Sequence, residues 1–296
     1  MTPRIGVIFP QTTLGADRIA VRAYAQAVEE LGYTHLRAAD HVLGADRAAH
    51  PGWTRPYDVD STFHEPFVLF GHLAAITSLE LATAVIILPQ RQTALVAKQA
   101  AEVDLLTGGR FRLGIGVGWN HVEFEALGQD FDNRGRRYDE QITLLRRYWT
   151  ERSITHHGEF ETVTGAGIAP HPVQRPIPLW FGAGSVPAYR RIGRLGDGWF
   201  PQLAPGSAEL EAAQRVINRA AVEAGRDPAA IGLEAAVSWT GSADELAEKA
   251  QAWRESGATH LAVNTTQPGI TTVDQHIDAL TRAAAALNLK PSLRYA

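Results

Sequence analysis

The sequence predicts a TIM (β/α)8 barrel. Short apolar runs alternate with amphipathic helical stretches from one end of the chain to the other, the rhythm of a parallel sheet covered by helices. Eight such strand-then-helix units fit within 296 residues, close to the length of about 250 residues typical of the barrel. The competing arrangement, an open doubly wound sheet, would carry G-x-G-x-x-G in its first turn, and none is present.

The first unit is an apolar run at 5–10, a polar loop, and a helix at 18–31 that Gly32 stops. The second strand, 34–40, leads into a long loop at 42–64 and a helix at 65–77. The third, 79–88, is apolar on both faces; its helix at 93–106 closes on Thr107-Gly108-Gly109, a C-cap signal. The fourth strand is Arg110-Phe111-Arg112-Leu113-Gly114-Ile115-Gly116-Val117-Gly118-Trp119-Asn120, alternating with period two. Its glycines add backbone entropy and pack nothing, so the expectation is that a flat ring system lies across the end of this strand; the alternative is a bulged strand in a tight barrel. A helix at 134–150 follows, then a small hairpin at 153–164 turning near Gly158, then a linker spaced by Pro170, Pro172, Pro176 and Pro178. Four more strands are expected at 179–181, 198–200, 231–239 and 258–264, with helices at 187–195, 208–224, 243–255 and 273–287. No composition break divides the chain, so one domain over 1–296 is expected.

Composition narrows the function. A net charge of -4 and a pI near 6.3 give no footprint for nucleic acid or anionic membrane, so a small-molecule substrate is expected. Without cysteine there are no disulfides, thiolate metal sites or cysteine nucleophiles. No apolar run approaches the ~18 residues of a membrane span, and no signal-peptide core follows Met1, so the expected location is cytoplasmic.

In a TIM barrel the working residues lie at the C-terminal ends of the strands. Asp40-His41 after the second strand puts an acceptor and a titratable imidazole at the mouth; the bland reading is a turn cap and a packed ring. Gly182-Ala183-Gly184-Ser185 stands between a strand and a helix, where backbone N–H groups and the helix dipole suit a phosphate; the alternative is a tight turn with Ser185 as N-cap. Trp119 follows Gly118 directly at the mouth, and Trp53, Tyr57 and Phe63 of the long loop either line an apolar pocket or pin the loop. His156-His157 reads as solvated surface. H-E-x-x-H and G-x-S-x-G are both absent, so neither a metal site nor a serine nucleophile is expected.

As a set, Ala39-Asp40-His41, Leu88-Pro89-Gln90-Arg91, Ala97-Lys98-Gln99, and Leu106-Thr107-Gly108-Gly109-Arg110 running into the glycine strand resemble the bacterial luciferase-like family of flavin and deazaflavin oxidoreductases. Pro178 to Ser185 and Leu195-Gly196-Asp197-Gly198-Trp199-Phe200-Pro201 match its second signature. The resemblance implies a homodimeric barrel with a flavin-type ring at the mouth, Gly118 beside it, and a phosphate held by Gly182, Ala183, Gly184 and Ser185. It also implies a non-prolyl cis peptide behind the ring, which alignment places at Ala84-Val85. Asp-His is similar to the branch that uses coenzyme F-420, with Asp40 near the cofactor and His41 handling the proton during hydride transfer. Trp119 stands where sugar-phosphate dehydrogenases of that branch carry an acid, which points to an apolar or aromatic substrate, with Trp53 in the same pocket. Two other readings remain: an FMN-dependent two-component monooxygenase fed by a reductase, and a non-catalytic flavin-binding barrel.

Overall fold

The computed structural model describes residues 2–292. Its strands are β1 (Arg4–Ile8), β2 (His35–Ala38), β3 (Glu80–Thr83), β4 (Ile86–Ile87), β5 (Phe111–Gly116), β6 (Ile154–His157), β7 (Thr162–Ala166), β8 (Leu179–Ala183), β9 (Gly198–Pro201), β10 (Gly232–Ser238) and β11 (His260–Asn264). Apart from the antiparallel hairpin β6–β7, all pair in parallel, in the order β3-β2-β1-β11-β10-β9-β8-β5-β4. A further β3–β5 pairing closes the ring. Leu81 pairs with Phe111 and Ile86 with Ile115, so β3 and β4 are halves of one barrel strand with an extra residue between them, a bulge. The result is the closed eight-stranded barrel that the alternation predicts.

The expected third strand at 79–88 is therefore interrupted. The bulge contains a cis peptide at Ala84–Val85, the bond singled out by alignment, and a 3-10 turn at Leu88–Gln90 follows. Two short helices escaped the sequence reading: α1 (Gln11–Leu14) and α5 (His121–Ala126). The others are α2 (Arg18–Glu30), α3 (Pro66–Ala74), α4 (Thr93–Thr107), α6 (Arg134–Thr150), α7 (Val186–Leu195), α8 (Ala208–Glu223), α9 (Ala243–Glu255) and α10 (Val273–Ala286).

The glycines of β5 require a correction. A Cβ at Gly114 would collide with the carbonyl oxygen of Thr83, and one at Gly116 would lie 2.7 Å from a methyl of Val85. One at Gly118, whose φ is +86°, would lie 2.5 Å from Ile87 and 2.9 Å from Phe124. The bulged strand and its neighbours fill the space beside this strand, so the glycines exist to admit protein backbone and side chains rather than a ring lying on β5.

The lower barrel interior is ionic where branched aliphatics usually dominate. Arg112 donates to Glu234 at 2.8 Å and to Glu80, and its guanidinium stacks 4.3 Å over Trp180. The Trp180 ring occupies the space that side chains at Gly198 and Gly232 would fill. Towards the C-terminal ends the inward residues become small. Ala39, Ala84, Gly182 and Ala236 ring a cavity of about 380 Å³ at the mouth.

Candidate active site

The cavity is floored by Arg37 and walled by the Ala84–Val85 bulge, with Gly182 against the bulge. A Cβ on Gly182 would sit 3.2 Å from the Val85 methyls, so glycine leaves the cavity its width. Gln11 ties the rim together: its amide donates to the Ala39 carbonyl at 2.8 Å, and its carbonyl accepts from the His64 N–H at 3.1 Å. Tyr57 and Phe63, from the long loop, close the cavity from above. That loop has no helix or strand but is well bonded. Arg47 pairs with Asp58 at 2.5 Å, and the Trp53 indole donates to the Tyr57 carbonyl at 2.8 Å.

His41 does not line this cavity. It lines a second chamber of about 240 Å³ with Leu43, Asp58 and Asn120, and Tyr57 and Phe63 form the wall that the two chambers share. The imidazole packs among Phe63, Tyr57 and Trp119 at centroid distances of 4.8, 5.0 and 5.4 Å. Trp53 stacks on the far side of Trp119, at 5.9 Å. Trp119 is thus a neighbour of His41, Trp53 backs Trp119, and neither is among the residues lining the two chambers.

Glu123 on α5 holds His41. Its buried carboxylate lies 3.2 Å from His41 Nδ1 and accepts from the Val42 and Leu43 N–H groups at 2.8 and 3.3 Å. Burial works to raise this carboxyl; the hydrogen bond and charge of His41 and the two backbone donors outweigh it and hold Glu123 below its ordinary value. An ionised Glu123 assigns the proton to Nδ1 and leaves His41 Nε2 to take or give one.

Asp40, also buried, receives both terminal bonds of Arg91 Nη2, at 2.9 and 3.0 Å. Arg91 reaches Glu65 through Nη1 at 3.0 Å, so one guanidinium joins the ends of β2 and the long loop to the turn after β4. Burial raises the Asp40 carboxyl, against the neighbouring Arg91 charge. Asp40 caps no turn and does not line the cavity; Arg91 stands between it and the loop.

The turn after β8 lies on the rim. Ser185 occupies the N-cap position of α7, but its hydroxyl accepts no bond from the first turn, and Gly184 and Ser185 are exposed. Small cavity-lining residues, one floor cation and an uncapped helix start on the rim fit a ring-bearing cofactor with an anionic tail. A groove of about 750 Å³ between α7 and α8 is lined by five arginines and lies outside the barrel. Among the described residues no cluster of three or more His, Cys, Asp or Glu could hold a metal, and no helix is long and apolar enough to cross a membrane. The surface reading of His156 is corrected: it bonds Glu140 at 2.8 Å, and Glu140 also accepts from Phe160 and Glu161, fastening the hairpin to α6.

Sequence reasoning missed Glu123, Arg91 and Arg37. For Glu123 a signal existed: Asn120 followed three residues later by Glu reads as a helix start. Asn120 does cap α5, accepting from Val122 and Glu123 N–H groups at 3.2 and 3.4 Å, while the Glu123 side chain turns to His41.

The family model for luciferase-like monooxygenases matches residues 7–290. An uncharacterised protein of Mycobacterium tuberculosis is 35% identical over 181 residues, 59% of this chain; the chain spans 62% of that protein's length. An FMNH(2)-dependent dimethylsulfone monooxygenase of Pseudomonas putida is 33% identical over 151 residues, covering 50% of this chain and 41% of that one. In fold, the chain is similar to an F-420-dependent secondary alcohol dehydrogenase, with a TM-score of 0.79, 18% identity, and coverage of 97% of this chain and 99% of that one. It is also similar to the FMN-bound oxygenating constituent of 3,6-diketocamphane monooxygenase of Pseudomonas putida, with a TM-score of 0.74, 16% identity, and coverage of 99% and 100%.

Proposed function

The chain belongs to the luciferase-like monooxygenase family, and from that premise we propose that it is an oxidoreductase moving a hydride between coenzyme F-420 and a small apolar or aromatic organic substrate. The observation that carries this reading is His41, held by buried Glu123 inside an aromatic cage at the barrel mouth. The cofactor supplies the hydride acceptor or donor; the barrel supplies position, exclusion of water and the proton. Ala84, Val85 and Gly182 line the ring's cavity, Gly118 lies behind it against Ile87, and Ala183, Gly184 and Ser185 receive the phosphate. Asp40 acts through Arg91, fixing the strand end from which His41 projects. Trp119 and Trp53, around His41, form the apolar substrate wall. Joining the His41 chamber to the cavity requires the loop carrying Tyr57 and Phe63 to shift.

His41→Ala should lower kcat by about 10²-fold or more while leaving cofactor affinity within a few-fold. Equal loss of both would reduce His41 to a binding residue, and an unchanged rate would leave a cofactor-binding barrel without catalysis. The FMNH(2)-dependent relative favours a second reading, a two-component monooxygenase supplied by a reductase. Oxygen consumption coupled to substrate turnover with reduced FMN would establish it. The apolar residues Val68 on α3 and Leu95 and Leu106 on α4 are exposed, which suits the pairing face of a homodimer.

A further inference from the structure

The mouth cavity has one formal charge among its described lining residues, Arg37. The polar groups around it, Gln11, Gln202, Asn264 and Thr266, are amides and hydroxyls. Arg37 lies on β2 one inward position below Ala39, and its side chain is 8% exposed. The guanidinium rests 5.3 Å over the Phe200 ring. It makes no hydrogen bond among the described residues. Its nearest carboxylate is Glu234 at 3.5 Å, and Glu234 is already engaged by Arg112 at 2.8 Å and by His35 at 3.2 Å. Arg112, one layer deeper, donates to Glu80 and Glu234, while its Nη2 finds no acceptor among the described residues. Arg37 thus has a long ion pair to a carboxylate it shares with Arg112 and His35, and an anionic ligand edge in the cavity would add the close acceptor it lacks.

We propose that Arg37 stabilises the reduced form of the cofactor in this cavity and so sets its redox poise. The inference rests on the reading that a flavin-type ring occupies the mouth, and it holds for a deazaflavin and for FMN alike. A hydride carries two electrons and one proton, so the ring that accepts it gains one unit of negative charge. When the donor is an alcohol carbon, the carbon loses the hydride to the ring, its hydroxyl proton passes to a base, and a carbonyl remains. A fixed cation in a low-dielectric floor favours the more negative state, raising the midpoint potential and tightening the reduced form.

The test is an anaerobic titration of the wild-type protein, Arg37→Gln and Arg37→Lys with coenzyme F-420 and with FMN, each oxidised and reduced. The wild type should bind the reduced form at least about tenfold more tightly than the oxidised form, equivalent to ~30 mV in a two-electron potential. Arg37→Lys should keep most of that ratio and Arg37→Gln should lose it. Equal affinity of the wild type for both forms, or parallel weakening of both in Arg37→Gln, overturns the inference and leaves Arg37 to a substrate anion. Should Arg37→Gln not fold, the wild-type and lysine ratios decide. Failure of the wild type to bind either cofactor in any state contradicts the occupied-mouth reading itself, a result distinct from equal binding.

Discussion

At the residue scale, the proposed chemistry rests on His41 and the buried Glu123 that holds it. Glu123 meets four donors, from His41, Val42, Leu43 and, at 3.5 Å, the Gln90 amide. Glu123→Gln retains one acceptor oxygen but loses the charge, and should lower kcat by about tenfold or more with cofactor Kd unchanged. Steady-state kinetics beside binding fluorescence would check it; a matching rise in Kd would contradict a positioning role. Glu123→Ala strands two backbone donors and should cost about 2–4 kcal/mol in denaturant unfolding. The position of His41 at the barrel mouth was legible because it follows a strand end. Its partner was not, because 82 residues separate them and only the fold brings α5 beneath the loop.

At the element scale, the glycine strand shows how a correct motif can carry the wrong reason. Alternation marked β5, yet its glycines answer to the bulge: Gly114 to the Thr83 carbonyl, Gly116 to Val85. Local sequence cannot show which neighbour crowds a strand, because β3 and β4 lie about one unit earlier in the chain and meet β5 only through closure. Gly114→Ala should therefore destabilise by about 3 kcal/mol or more, since a backbone carbonyl has little freedom to retreat. Gly128, with no atom within 4 Å of an added Cβ but φ +67°, should lose less on the same change. Chemical denaturation of the two variants makes the comparison.

For the whole molecule, the barrel rhythm was legible because each unit repeats a local pattern, whereas the ionic floor was not. His35, Glu80, Arg112, Glu234 and His260 come from separate strands, and each alone reads as an ordinary polar residue on an outer face. Their burial makes stability depend on pH. Burial works to raise Glu234, but Arg112, His35 and Arg37 hold it well below its ordinary 4.5. Burial lowers His260 to about 3 and His276 to about 4, from an ordinary 6.5. All three have folded values below their unfolded ones, so each contributes stability above its unfolded value and loses it as pH falls. The unfolding free energy should begin to drop below pH 6.5 and fall more steeply below 4.5; a flat profile between pH 7 and 4 would contradict a buried, charged floor. Glu234→Gln leaves two guanidinium groups short of a partner and should cost about 3–5 kcal/mol.

The barrel mouth is proposed to hold a deazaflavin. Titrating the purified protein with oxidised coenzyme F-420 and, separately, with FMN, followed by fluorescence, tests it most directly. Saturable micromolar binding of F-420 with much weaker binding of FMN is the predicted result. Preference for FMN would contradict it and move the enzyme to oxygen-dependent monooxygenation.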